Sequence, residues 1–136
     1  MYKVKNIFDI VLFLLNIIFL LYYSIQLLLF TDEFTLNTLG FFNHAIAGLA
    51  EIIGIIFFSL SLSLIIILFR GVNNQFPLLF LIFFMELLLS LNFWRYVFTD
   101  SPGETSIDTI IFNAYIFSFM SFSMLVLLTR LKKYIY

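Results

Sequence analysis

Two glutamates, Glu51 and Glu86, stand inside otherwise apolar stretches of this chain, and its only histidine, His44, precedes the first of them by seven residues. Asn16, Asn92 and Arg95 lie in similar surroundings, with Ser90 and Ser121 nearby. The chemistry open to such a set is narrow. A carboxylate in an apolar medium can exchange a proton, pair with a cation or hydrogen-bond a polar ligand group, and intramembrane carboxylates are functional by default. At 3.6 residues per turn His44 and Glu51 share one helix face, with Gly48 between them. Glu86 and Ser90 also share a face, whereas Glu86 and Arg95, nine residues apart, are half a turn out of phase. Arg95 shares a side with Asn92, from which it can snorkel to headgroups or reach toward Glu51 or His44.

Other chemistries are excluded by what is missing. There is no cysteine, so disulfides, thiol catalysis and thiolate metal sites are ruled out. A single histidine builds neither a di-metal site nor bis-histidine haem ligation. No Ser–His–Asp arrangement, HExxH or glycine-rich phosphate loop occurs, so no catalytic residue, metal or cofactor is expected. Net charge is −1 and no basic block exists to hold a phosphate backbone, which argues against a nucleic-acid partner.

The elements that must position these side chains follow from composition. The 136 residues suit one domain, yet 63% are hydrophobic and only 11% charged, against about 25% charged in a soluble domain. A chain this small cannot hide that much apolar surface from water, so its solvent must be lipid. Four apolar segments, near residues 10–30, 43–69, 76–98 and 110–129, are long enough to cross, since a span takes about 20 helical residues. None alternates as a barrel strand does, and backbone in lipid must satisfy itself, so an all-α, antiparallel up-down four-helix bundle is predicted. The connections "TDEFTLNTLG", "RGVNNQFP" and "TDSPGETSIDT" carry turn residues.

Charge sets the orientation. Lys3, Lys5, Arg70, Arg130, Lys132 and Lys133 share one side, and of the seven basic residues only Arg95 does not. Asp32, Glu33, Asp100, Glu104 and Asp108 occupy the other. The positive-inside rule places both termini in the cytoplasm, in an inner or cytoplasmic membrane. Trp94 and Tyr96 then fall at the outer interface and Tyr2, Tyr134 and Tyr136 at the inner one, as aromatic belts do.

Depth counted from the outer ends puts Glu51 about 12 Å and Glu86 about 18 Å into the membrane. Asn16 and Ser121 count to the level of Glu86; Tyr22, Tyr23, Ser90 and Ser118 count to that of Glu51. The expected site has His44 and Glu51 at its mouth and Glu86 as its floor, with Asn16 and Ser121 as neighbours. Arg95 is expected to hold Glu51 ionised, while Glu86, deeper in lipid, is expected to be uncharged or paired with Asn16, Ser90 or Ser121. His44, beside Asn43 at a helix start, also reads as an interfacial or capping residue. Ala47, Ala50 and Gly54 form a small-residue stripe that admits a close helix neighbour, inside the bundle or on a partner.

A first span, an outer loop leading into "NTLGFFNHAIAGLAEIIGIIFF", a short basic inner loop and "LNFWRYVFTDSPGET" before the last span resemble the DoxX-like group of small four-helix membrane proteins. Within it the chain is most similar to domain-of-unknown-function family 4345. Members commonly carry an arginine near the start of the second span, where this chain has His44. The resemblance implies a four-helix bundle in a bacterial membrane and no particular activity.

Two functional expectations result. The first is a non-catalytic accessory or interaction subunit that docks another membrane protein or a second copy through the small-residue stripe and aromatic surface. The second is binding of a lipid, quinone or small solute, or proton-coupled transport, at a polar site around Glu51 and Glu86. In either case membrane lipids surround the chain. The topology is directly testable: cysteines placed at Asn74 and Ser101 should be labelled by an impermeant reagent from opposite sides of the membrane. Labelling of both from one side would end the four-span reading.

Overall fold

The computed structural model describes residues 3–40, 43–100, 103 and 105–135. The expected belt positions Tyr2 and Tyr136, the acidic Glu104 and the labelling position Ser101 lie outside the described residues. Among the described residues there are five helices and no strand: α1 (Ile7–Leu28), α2 (Thr31–Leu39), α3 (His44–Arg70), α4 (Phe76–Thr99) and α5 (Ile107–Ile135). The four longer ones have 22, 27, 24 and 29 residues and are apolar enough to cross a membrane. At about 1.5 Å per residue each covers a hydrocarbon core of about 30 Å. The chain is an all-α, multi-pass membrane bundle.

Local signals fix the ends. The Asn6 side chain accepts from the Phe8 N–H at 2.9 Å and opens α1. Asn43 does the same for α3, accepting from the Ala45 N–H at 2.8 Å. Asn43 is therefore the cap and His44 the first helical residue. Pro77 stands in the first turn of α4, where its missing N–H has no intrahelical partner to lose. The last helix runs past the expected end at residue 129. Leu131 and Ile135, one turn apart, are each 1% exposed while Lys132 and Lys133 face outward, so the amphipathic pattern carries on.

One expectation is corrected. "TDEFTLNTLG" was read as a connection, yet most of it is helix α2. The Thr31 hydroxyl donates back to the Leu27 carbonyl at 2.6 Å, and Asp32 and Glu33 sit in the first turn, where the helix dipole favours them. Gly40 closes the helix at φ 79°, a conformation glycine adopts without strain. Thr31 and Thr35 are buried, which holds α2 down against α1 and α3.

The lateral order is not the chain order. α1 and α5 form the central pair, α3 packs on α1 and α4 packs on α5, and α3 and α4 border a shared gap. α3 and α4, joined by the short turn through Gly71 and Asn74, barely touch. Phe117 of α5 is the hub of an aromatic cluster, with centroids 4.9 Å from Phe19, 5.2 Å from Tyr23 and 5.6 Å from Phe93.

The small-residue stripe is used inside the bundle. Ala47, Ala50 and Gly54 are all buried, and α3 packs against α1. A Cβ added at Gly54 would lie 2.8 Å from Leu28 Cγ and 3.0 Å from Leu27 Cβ. Gly48, on the same helix, has nothing within 4 Å of that position. Gly54→Leu should therefore lower stability by about 1–3 kcal/mol through overpacking. Gly48→Leu should leave the unfolding transition in detergent close to that of the parent. Equal behaviour of the two variants would show that the close approach is not a constraint.

Candidate functional site

The central α1–α5 seam is stitched by polar contacts at three heights. At the basic end Arg130 forms an ion pair with Asp9 and covers the Phe8 ring at 5.0 Å. Midway, Asn16 Nδ2 donates to Ser123 Oγ at 2.7 Å and to the Leu12 carbonyl at 2.8 Å. Toward the acidic end the Tyr23 hydroxyl donates to Asn113 Oδ1. On the other side of α5, Ser90 and Ser118 share a hydrogen bond of 2.6 Å, and Trp94 Nε1 donates to Ser118 at 3.0 Å. The sequence reading did not single out Asp9, although an aspartate immediately before the expected first span, at the same end as Arg130, was a usable signal.

These bonds set levels across the bundle. Ser90 faces Ser118, so Glu86, one turn nearer the basic end, stands level with Phe122, between Ser121 and Ser123. Asn16 faces Ser123. Glu86, Asn16, Ser121 and Ser123 thus form one buried polar layer, in which Glu86 and Asn16 are both 0% exposed. The layer is under-satisfied. Both carboxyl oxygens of Glu86 and the Asn16 Oδ1 lack a hydrogen-bond partner in the protein, as does Ser24 Oγ two turns above Asn16. Such groups are uncommon in a folded interior, where an unmade hydrogen bond costs about 1–3 kcal/mol. A carboxyl group here can donate or accept a hydrogen bond, and Asn16 Oδ1 is a further unmatched acceptor at the same level.

The other expected members are elsewhere. Glu51 and His44 are exposed, and Glu51 borders a hollow of about 310 Å³ with Asp32 and Glu33 at the α1–α2 corner. Arg95 and Asn92 are exposed, and the Arg95 guanidinium lies 4.7 Å from the centroid of the Tyr96 ring. Among the described residues the expected Arg95–Glu51 ion pair is not formed. The reason is lateral: α3 and α4 are the flanking helices and scarcely meet, so equal depth does not bring their side chains together. Glu86, Asn16, Ser90 and Ser121 are all buried at neighbouring levels of the bundle, whereas Glu51, His44 and Arg95 are exposed. No three His, Asp or Glu side chains among the described residues gather as a metal site requires.

The gap between the flanking helices holds a hollow of about 450 Å³. Its floor is Phe57, Met85 and Leu89, and its exposed rims are Ile53, Ile56, Leu81, Phe84 and Leu88. Met85 and Leu89 both lie to one side of Glu86 on α4, about 100° and 60° of helix away from it, so the groove face adjoins the face that carries Glu86. Compared with known protein families, characterised sequences and solved structures, the chain matches none.

The Asn16–Ser123 bond can be measured. A double-mutant cycle of Asn16→Ala and Ser123→Ala should give a coupling of about 0.6 kcal/mol, with an upper bound of about 1.7, as interhelical bonds in membranes do. Strict additivity would mean that the two side chains do not hold α1 to α5.

Proposed function

We propose that this is a non-catalytic membrane protein that binds a lipid- or quinone-class molecule from the bilayer through the opening between α3 and α4. The apolar body lies in the groove and a hydrogen-bonding group reaches the Glu86–Asn16 layer. One observation carries this reading: a fully buried carboxyl group with neither oxygen partnered stands on α4 beside Met85 and one turn from Leu89, which floor an apolar groove between α3 and α4. Met85 in the groove floor favours it further, because an unbranched thioether repacks around a guest more readily than a branched side chain. The lining has the usual character of a ligand site, mostly apolar with a few placed polar groups.

The rest of the proposal concerns setting. Six of seven basic residues share the end at which α1 begins and α5 finishes, so that end faces the cytoplasm. The layout also fits the DoxX-like resemblance, which implies a bundle of this kind. Docking of a partner through Ala47, Ala50 and Gly54 has less to support it, because α1 occupies that stripe.

Quantifying apolar molecules extracted from protein purified in mild detergent tests the reading. Glu86→Leu should reduce the bound amount about tenfold, the equivalent of one lost hydrogen bond of about 1.4 kcal/mol. Glu86→Gln, which keeps hydrogen-bonding capacity, should retain most of it. Leu88→Trp, at an exposed rim, should block the groove without disturbing the fold. An unchanged bound amount in both Glu86→Leu and Leu88→Trp would rule the site out.

A further inference from the structure

A second hollow, of about 240 Å³, lies at the acidic end between α1, α2 and α5. It is separate from the groove and from the Glu86 layer. Its walls are of two kinds: Tyr22, Phe34 and Phe112 bring aromatic rings, while Glu33, Gln26 and Asn37 bring one carboxylate and two side-chain amides. Among the described residues no lysine, arginine or histidine lines it. Its back wall is held in place. The Tyr23 hydroxyl donates to Asn113, whose amide nitrogen donates in turn to the Thr109 carbonyl at 2.9 Å. The Tyr22 ring meets that of Tyr23 at 88°, with centroids 5.5 Å apart, which fixes the outer ring against a buried one.

The charged residues that line this hollow and its neighbour are of one sign, and Arg95, the basic residue at this end, stands on α4, which lines neither. Glu33 also borders the neighbouring hollow at the α1–α2 corner, which adds Asp32 and Glu51. Six of the seven basic residues are at the opposite end of the bundle, about 30 Å away along the helices. An aromatic face attracts a cation through its quadrupole, most strongly when the cation is weakly hydrated, and a carboxylate alongside adds Coulomb attraction. An anion would meet repulsion here, and a neutral apolar group would strand the amides.

We propose that this hollow binds a substituted ammonium group, presented either by a lipid headgroup or by a free amine. Tyr22 and Phe112 supply the ring faces and Glu33 the counter-charge, while Gln26 and Asn37 accept or donate at the rim. Tyr22 is 55% exposed and Glu33 is exposed, so both can be replaced without opening the core.

The test follows the thermal unfolding midpoint of the protein in neutral detergent. Tetramethylammonium chloride should raise the midpoint relative to sodium chloride of equal ionic strength, and phosphatidylcholine should raise it relative to phosphatidylglycerol in mixed micelles. Tyr22→Leu and Glu33→Gln should each weaken the response about tenfold in apparent Kd, while Asp108→Asn, which does not line the hollow, should leave it intact. A response to tetramethylammonium identifies a free amine as sufficient, and a response to phosphatidylcholine alone identifies the lipid headgroup. No response to either probe, or a response that survives in both Tyr22→Leu and Glu33→Gln, overturns the proposal.

Discussion

In a bilayer, apolar side chains gain little by exchanging acyl chains for one another, so close packing and polar contacts must decide how helices stand together. Here that burden falls on α1 and α5. Asp9–Arg130, Asn16–Ser123 and Tyr23–Asn113 tie the pair at three heights, each pair antiparallel and in one register. The flanking helices are fastened to this spine by different means. α3 is held by close approach at Gly54, where there is no room for a Cβ, and α4 by the hydroxyl of Ser118, which meets both Ser90 and Trp94. Nothing comparable joins α3 to α4.

That asymmetry explains how a groove and a buried polar layer coexist in so small a protein. With one seam open, a groove floored by Met85 and Leu89 remains on α4, while Glu86 beside them is fully buried with two unmatched oxygens. On α4 the cost is confined to Glu86, because the other buried positions of that helix, Leu79, Ile82 and Ser90, are either apolar or bonded.

Much of this was legible in the sequence, and the limits were physical. The spans were readable because lipid demands a run of apolar residues whose length is set by the membrane. The depths of Asn16, Ser121 and Glu86 were readable because helical rise is nearly constant. Lateral order was not, since hydropathy carries no information on which helix neighbours which, and the Arg95–Glu51 pair failed on that point alone. The close approach at Gly54 was visible as a small-residue stripe, but the identity of its neighbour, α1, was not. Helix α2 was missed because nine residues rich in Thr, Asp and Asn look like a turn, and its helicity rests on Gly40 and on a hydroxyl bonded back to α1.

The lateral order also bears on how the chain is made. Membrane helices are released into lipid in sequence order, and the first three elements can associate as soon as α3 is complete. Asp9 and Asn16 cannot complete their contacts then, because their partners Arg130 and Ser123 belong to α5, which is made after α1 to α4. Until α5 arrives, Asp9 lacks its cation and Asn16 keeps only its bond to the Leu12 carbonyl of its own helix, so closing the α1–α5 seam is the step that completes the polar contacts of α1.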